Sequence, residues 1–125
     1  MSKKILLIED EKDLAELIVD ILNAENFQAS WVDDGRKGVI RTKELMPDLI
    51  ILDLMLHDMH GLNVCRAIKA DEQTKHIPII IYSGRMEPGV TDDVLKAGGS
   101  LFMSKLTPPS KIVQIVKDFI QENGV

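Results

Sequence analysis

Short continuous apolar runs alternate along this chain with longer amphipathic segments. Runs at residues 5–8, 28–32, 49–52, 78–82 and 101–103 predict strands. Most of these runs lack polar alternation, which indicates strands buried on both faces, as in a parallel sheet. The segments between the runs carry apolar residues at helical spacing, so the pattern predicts five β-α units in series.

Capping and turn residues place the predicted helices. One helix follows the first strand, and another over 36–45 has Asp34 as its expected N-cap. A third helix follows Gly61, a short one over 92–97 stops at glycines 98 and 99, and prolines 108 and 109 open the last. Right-handed crossovers of this length predict an α/β, doubly wound three-layer sandwich, in one domain over residues 1–125. Spacing alone leaves the strand order open.

Polar residues end four of the apolar runs. Glu9 and Asp10 follow the first strand, Asp53 the third, Ser83 the fourth and Lys105 the fifth. The carboxyl ends of parallel strands lie at one edge of the sheet, where ligands bind in open α/β sheets. We therefore expect these side chains to lie close together.

That combination of side chains favours one chemistry. Three carboxylates at one edge repel each other unless a cation compensates them. Oxygen ligands without a His or Cys cluster favour Mg²⁺ over Zn²⁺. A divalent cation, the Lys105 ammonium and the Ser83 hydroxyl around Asp53 would form a receptacle for a phosphoryl group. Taken singly, each residue also has a plain structural explanation: a helix cap for the first two acids, a turn for Ser83, and surface exposure for Lys105.

Composition narrows the class of protein. Charged residues make up 28% of the chain and the net charge is −5, with no Lys/Arg run longer than two, so direct nucleic-acid binding by this domain is not expected. The single cysteine, Cys65, excludes an internal disulfide, and its place on an apolar helical stripe predicts burial. No apolar run approaches the roughly 20 residues that span a bilayer, and the N-terminal apolar stretch is too short for a signal peptide. We expect a cytoplasmic location and no membrane association.

These residues also carry a family resemblance. Over its whole length the chain resembles a response-regulator receiver domain of two-component signalling. The matching segments are ILLIEDE (5–11), PDLIILDLML (47–56) with Gly61, IIIYSG (79–84), KAGG (96–99) and FMSK (102–105). The resemblance implies a five-stranded parallel sheet in the order 2-1-3-4-5.

The resemblance further implies a role for each matching residue. Asp53 is expected to be the phosphoacceptor, and Lys105 to pair with it and then with the phosphoryl oxygens. Glu9, Asp10, Asp53 and the backbone carbonyl of Met55 are expected to hold Mg²⁺. Together these roles describe a signalling switch whose own catalysis is limited to Mg²⁺-dependent self-phosphorylation and self-dephosphorylation, and not a true enzyme.

Two further residues are implied as the switch. Ser83 is expected to bond a phosphoryl oxygen, and Phe102 to turn inward as Ser83 moves, although plain core packing explains Phe102 equally well. The implied partners are a sensor histidine kinase or phosphotransfer protein and an output domain or target protein. They would act through the face formed by the fourth helix, fifth strand and fifth helix, and a phosphorylation-linked homodimer is compatible with this scheme.

The chain departs from the family pattern in two places. Leu106 stands where the family usually has proline after the lysine, so a trans peptide bond is expected there. His57 stands where a proline is usual in the loop after Asp53, with His60 nearby; a pH-sensitive phosphate lifetime is one hypothesis, and solvated loop residues are the favoured one. The loop over 84–89 carries two glycines and a proline and is expected to be mobile.

Three other functions are alternatives to the switch. An aspartyl phosphohydrolase typically has a second Asp two residues after the first, where this chain has Met55. A flavodoxin-like flavin protein needs a Gly/Ser/Thr-rich phosphate loop after the first strand, where this chain has acids. A phosphate-independent interaction module with a receiver-like fold remains the main alternative, because Leu106 departs from the pattern.

Overall fold

The computed structural model describes residues 2–84 and 89–125. The strands are β1 (Lys4–Ile8), β2 (Gln28–Val32), β3 (Leu49–Asp53), β4 (Ile79–Ser83) and β5 (Leu101–Ser104). The helices are α1 (Lys12–Ala24), α2 (Gly35–Leu45), α3 (Gly61–Ala70), α4 (Val90–Lys96) and α5 (Pro109–Asn123). The five predicted β-α units are therefore confirmed. In the described part of the chain, no helix has the length and apolar character to cross a membrane.

The strands form one parallel sheet in the order β2-β1-β3-β4-β5, which confirms the order implied by the resemblance. The continuous apolar runs explain why β1, β3 and β4 lie inside: β3 and β4 are buried along their full length, and β1 from Ile5 onward. The half-polar β2 and the short β5 take the two edges.

Two apolar layers cover the faces of the sheet. One layer joins α1 and α5 to one face, and the other joins α2, α3 and α4 to the opposite face. Alternate residues of each strand supply the two layers, since consecutive strand side chains point to opposite faces. Cys65 is buried in the second layer, as the helical stripe predicted.

The caps agree with the sequence prediction, and strand ends differ slightly. The Asp34 carboxylate accepts from the backbone N–H of Lys37, Pro108 is the N-cap of α5, and Gly98 takes a φ of 101° just after α4. Asp53 and Ser83 are the last residues of their strands rather than the first residues beyond them. Sheet pairing therefore fixes the backbone position of both polar residues. The expected mobility of loop 84–89 stays a prediction, since residues 85–88 lie outside the described ranges.

Candidate functional site

Three carboxylates converge at the carboxyl edge of the sheet. Glu9, Asp10 and Asp53 each offer an oxygen, and these oxygens lie within 4.8 Å of one another. Glu9 follows β1 directly and its backbone N–H donates to Val32 on the neighbouring strand, while Asp53 ends the central strand. The predicted gathering of these three acids, which we call the acidic cluster, is present.

Lys105 is the cation of this site. Its Nζ lies 2.7 Å from Glu9 Oε1 and 3.0 Å from Asp53 Oδ2. Its backbone N–H donates to the carbonyl of Ser83 at 3.0 Å, which holds the residue just beyond β5 against the end of β4. The peptide bond to Leu106 is trans, as expected for a non-proline residue, and the Leu106 side chain is 89% exposed. The ammonium therefore reaches Asp53 without the proline that the family usually has.

Burial shapes the electrostatics of this cluster. Glu9 is fully buried, and burial together with the nearby Asp53 raises its pKa from 4.5 to about 7, against the opposing pull of Lys105. For Lys105, burial acts to lower the pKa, but the bonds and charges of Glu9 and Asp53 outweigh it and raise the pKa. The site thus holds more negative charge than one ammonium compensates.

The same residues fit a hard divalent cation. In the described part of the chain, the buried Glu9 Oε1 has the Lys105 ammonium 2.7 Å away and no further hydrogen-bond partner. Asp53 shares that ammonium, so the Glu9 carboxylate is only partly satisfied. An all-oxygen donor set with an incompletely satisfied buried carboxylate is what Ca²⁺ or Mg²⁺ binds. Glu9, Asp10 and Asp53 are therefore a candidate site for a metal ion.

The raised pKa of Glu9 predicts a pH dependence for the ion-free protein. Below pH 4.5 the Glu9 carboxyl is protonated in both states, and above about pH 7 it is ionised in both. Between these values the folded state binds more protons, so the free energy of unfolding falls as pH rises, by at most about 3 kcal/mol. We expect urea denaturation in EDTA to show this decline between pH 4.5 and about 7.

Glu9→Gln is the matched control for that decline, because it keeps the shape of the side chain and removes its titration. The part of the slope that belongs to Glu9 should disappear in the variant, while contributions from other groups remain. Equal slopes in wild type and variant would show that Glu9 titrates normally.

The loop after Asp53 is tightly closed on itself. The backbone N–H of Met55 donates to Asp53 Oδ1 at 3.0 Å, and Met55 forms an isolated antiparallel bridge with His60. The backbone N–H of Gly61 donates to the carbonyl of Leu54 at 2.8 Å. One Asp53 oxygen is thus held by its own loop and the other by Lys105. The expected role of the Met55 carbonyl as a metal ligand stays a prediction.

Side chains of the same loop contact other elements. His57 Nδ1 lies 3.3 Å from Asp10 Oδ2, and His60 Nδ1 accepts from the N–H of Leu62 as the N-cap of α3. The exposed Asp58 carboxylate accepts from the first two backbone N–H groups of α2, at 2.8 and 3.0 Å. Slight desolvation acts to raise the pKa of Asp58, but these two bonds outweigh it and lower the pKa. No local pattern predicts the contact between Asp58 and Gly35, because these residues are 23 positions apart.

The two expected switch residues lie on adjacent strands. Ser83 is fully buried at the end of β4 and is the register partner of Ser104. Phe102 is half-buried on β5 and packs against the apolar layer of α3. Core packing explains this position of Phe102, and the switch roles of both residues stay predictions.

Tyr82 is a neighbour of the site that no motif in the sequence indicates. It is the register partner of Asp53, it is 1% exposed, and the Lys105 ammonium lies over its ring. A tyrosine inside an apolar strand looks like an ordinary core residue. Its relation to Asp53 follows only from the register between β3 and β4, which a single sequence does not give.

Comparison with known protein families agrees with this geometry. A family model described as the response regulator receiver domain matches residues 5–117. The chain belongs to this family. Receiver domains are parts of two-component response regulators; their general function is a phosphorylation-based switch, and they are not enzymes in the ordinary sense.

Several known proteins are similar to this receiver domain. The DNA-binding response regulator MtrA of Mycobacterium tuberculosis is 32% identical over 126 residues, covering 98% of this chain and 53% of MtrA. The chain thus spans about half the length of the curated MtrA relatives it matches.

Solved structures share the fold. Chemotaxis protein CheY4 of Vibrio cholerae has a TM-score of 0.89 at 19% identity, covering 94% of this chain and 98% of that one. The phosphorylated cyanobacterial phytochrome response regulator RcpA has a TM-score of 0.79 at 29% identity, covering 97% and 93%.

Proposed function

We propose that this receiver domain is a phosphorylation-dependent switch that accepts a phosphoryl group on Asp53. The observation that carries the proposal is the position of Asp53 Oδ2, 3.0 Å from the Lys105 ammonium at the rim of the acidic cluster. A carboxylate at the end of a buried strand, paired with one cation and crowded by two other acids, is suited to receive an electrophilic phosphorus. The expected domain range, residues 1–125, is part of the same proposal.

The proposed transfer needs few groups. An Asp53 oxygen attacks phosphorus, an O–P bond forms, and the N–P bond of a donor phosphohistidine breaks, leaving its electron pair on the imidazole. Lys105 then pairs with the phosphoryl oxygens, and the Ser83 hydroxyl donates to one of them. Phosphoryl transfer depends on positioning and charge neutralisation, which these side chains supply.

The proposed cofactor is Mg²⁺, held by Glu9, Asp10, Asp53 and the Met55 carbonyl. When bound, it would supply Lewis-acid neutralisation of the transferring oxygens. Support comes from the oxygen-only donors of the acidic cluster and from the incompletely satisfied Glu9 Oε1.

The proposed partners follow from the switch. A sensor histidine kinase or phosphotransfer protein donates the phosphoryl group in the cytoplasm, and an output domain or target protein reads the α4-β5-α5 face. MtrA, which is about twice as long as this chain, is described as a DNA-binding response regulator. A new dianion at Asp53 draws donors such as Ser83 towards it, and Phe102 is proposed to fill the space beside it, which changes that face. A phosphorylation-linked homodimer is one form that the response can take.

Acetyl phosphate tests the proposal directly. Incubation with Mg²⁺ is expected to add one phosphoryl group, about 80 Da by intact mass spectrometry, on the peptide that contains Asp53. EDTA should prevent the gain, and hydroxylamine should remove it, because it cleaves acyl phosphates. Absence of any gain with Mg²⁺ would contradict the switch and favour the phosphate-independent interaction module.

A further inference from the structure

Tyr82 and Asp53 project from the same face of the sheet. They are register partners on adjacent parallel strands, and Tyr82 belongs to the apolar layer formed with α1 and α5. Its ring is 1% exposed, so its position is fixed by the surrounding core. The chain contains no other tyrosine.

The Lys105 ammonium lies over this ring, 5.6 Å from its centroid. That distance is within the roughly 6 Å over which an aromatic face attracts a cation, and the attraction strengthens where water is excluded. The Lys105 side chain is 24% exposed, so water has only limited access to it.

The Tyr82 ring can hold the Lys105 ammonium in place without the added negative charge of another carboxylate. Lys105 has a long flexible side chain with many rotamers, and two acids compete for its ammonium, with Glu9 at 2.7 Å and Asp53 at 3.0 Å. A further acid beside Lys105 would add negative charge to the three carboxylates of the acidic cluster. A neutral aromatic face attracts the ammonium without adding net charge, and it lies on the strand next to Asp53.

We propose that Tyr82 is a positioning residue whose ring face holds the Lys105 ammonium against Asp53. The inference rests on the proposed function, because positioning matters only if Asp53 receives a phosphoryl group. It predicts that the aromatic face is required and that the phenolic hydroxyl is not.

The contact itself is tested without phosphorylation. In protein carrying ¹³C-labelled lysine, the Lys105 ε-protons, assigned with Lys105→Met, should be shifted upfield by the ring current. Tyr82→Phe should keep this shift and Tyr82→Leu should lose it. An unshifted signal in the folded wild type would overturn the proposal.

A double-mutant cycle tests the consequence for the reaction. Tyr82→Leu should slow labelling by acetyl phosphate about fivefold, equal to ~1 kcal/mol, and Tyr82→Phe should restore it. In a Lys105→Met background the same Tyr82→Leu change should have no further effect. Equal slowing in both backgrounds would show a general structural effect and would overturn the proposal.

Ile80→Ala is the control for lost core volume, because Ile80 lies two positions earlier on the same face of β4 and is fully buried. It should lower the melting temperature and leave the Lys105 shift in place. If wild type is not labelled at all, the proposed function fails, whereas the lysine signal still reports whether the ring holds the ammonium.

Discussion

Asp53→Asn is expected to reduce labelling by acetyl phosphate at least about 100-fold, to below detection. The reason is that the variant lacks the nucleophile that attacks phosphorus. The neutral amide keeps the shape of the carboxylate and cannot form the acyl phosphate. Asp53→Ala, which also removes the shape, should behave in the same way. Intact mass spectrometry of both variants with Mg²⁺ present measures this result.

Asp48→Asn is the matched control for that loss. Asp48 lies just before β3, at the opposite end of the same strand, where its carboxylate accepts from the backbone N–H of Lys4. Labelling should be unchanged in this variant. Continued labelling of Asp53→Ala at another residue would show that the acceptor is elsewhere, and melting curves of all variants would separate loss of chemistry from loss of folding.

Gly61→Ala is expected to destabilise the domain and to disturb Asp53 at once. A Cβ at this position would lie 2.3 Å from the carbonyl oxygen of Asp53 and 2.6 Å from the Cα of Leu54, both backbone atoms. Backbone at the end of a buried central strand cannot move aside cheaply, so we expect a loss of about 3 kcal/mol. Thermal unfolding should show this as a fall of roughly 10 °C in Tm.

Gly84→Ala provides the comparison, because a Cβ there meets no atom of the described residues within 4 Å. Its effect on stability should stay within about 0.5 kcal/mol. We also expect Gly61→Ala to slow phosphoryl transfer, since the clash acts on the peptide that carries the nucleophile. Equal melting temperatures for the two variants would mean that the loop after Asp53 moves aside freely.

The strands, the helices and the acidic cluster can be predicted from the sequence, because they depend on local patterns. Continuous apolar runs require burial on both faces, and a polar residue at the end of such a run must lie at the edge of the sheet. That rule alone predicts the positions of Asp53 and Glu9 at the edge of the sheet. The strand order came only from the family resemblance, since parallel crossovers of similar length permit several orders.

Contacts between distant segments were not predictable from local pattern. From the sequence alone, Tyr82 is predicted to be an ordinary core residue. Only the register of β3 and β4 shows that it lies beside Asp53. From the sequence alone, Asp58 is predicted to be a loop residue. In the folded protein its carboxylate contacts the first turn of α2. The ammonium of Lys105 was expected at Asp53 by resemblance, and its ion contact with Glu9 follows from the depth at which both side chains are buried.

The two bonds from Asp58 have a mechanical consequence. They fasten the peptide segment that follows the phosphoacceptor to the start of α2, so neither element shifts alone without breaking charge-assisted hydrogen bonds. A ligand whose binding displaces one of these elements should therefore displace the other as well. Because such linkage is reciprocal, a protein that binds α2 should change the affinity for that ligand.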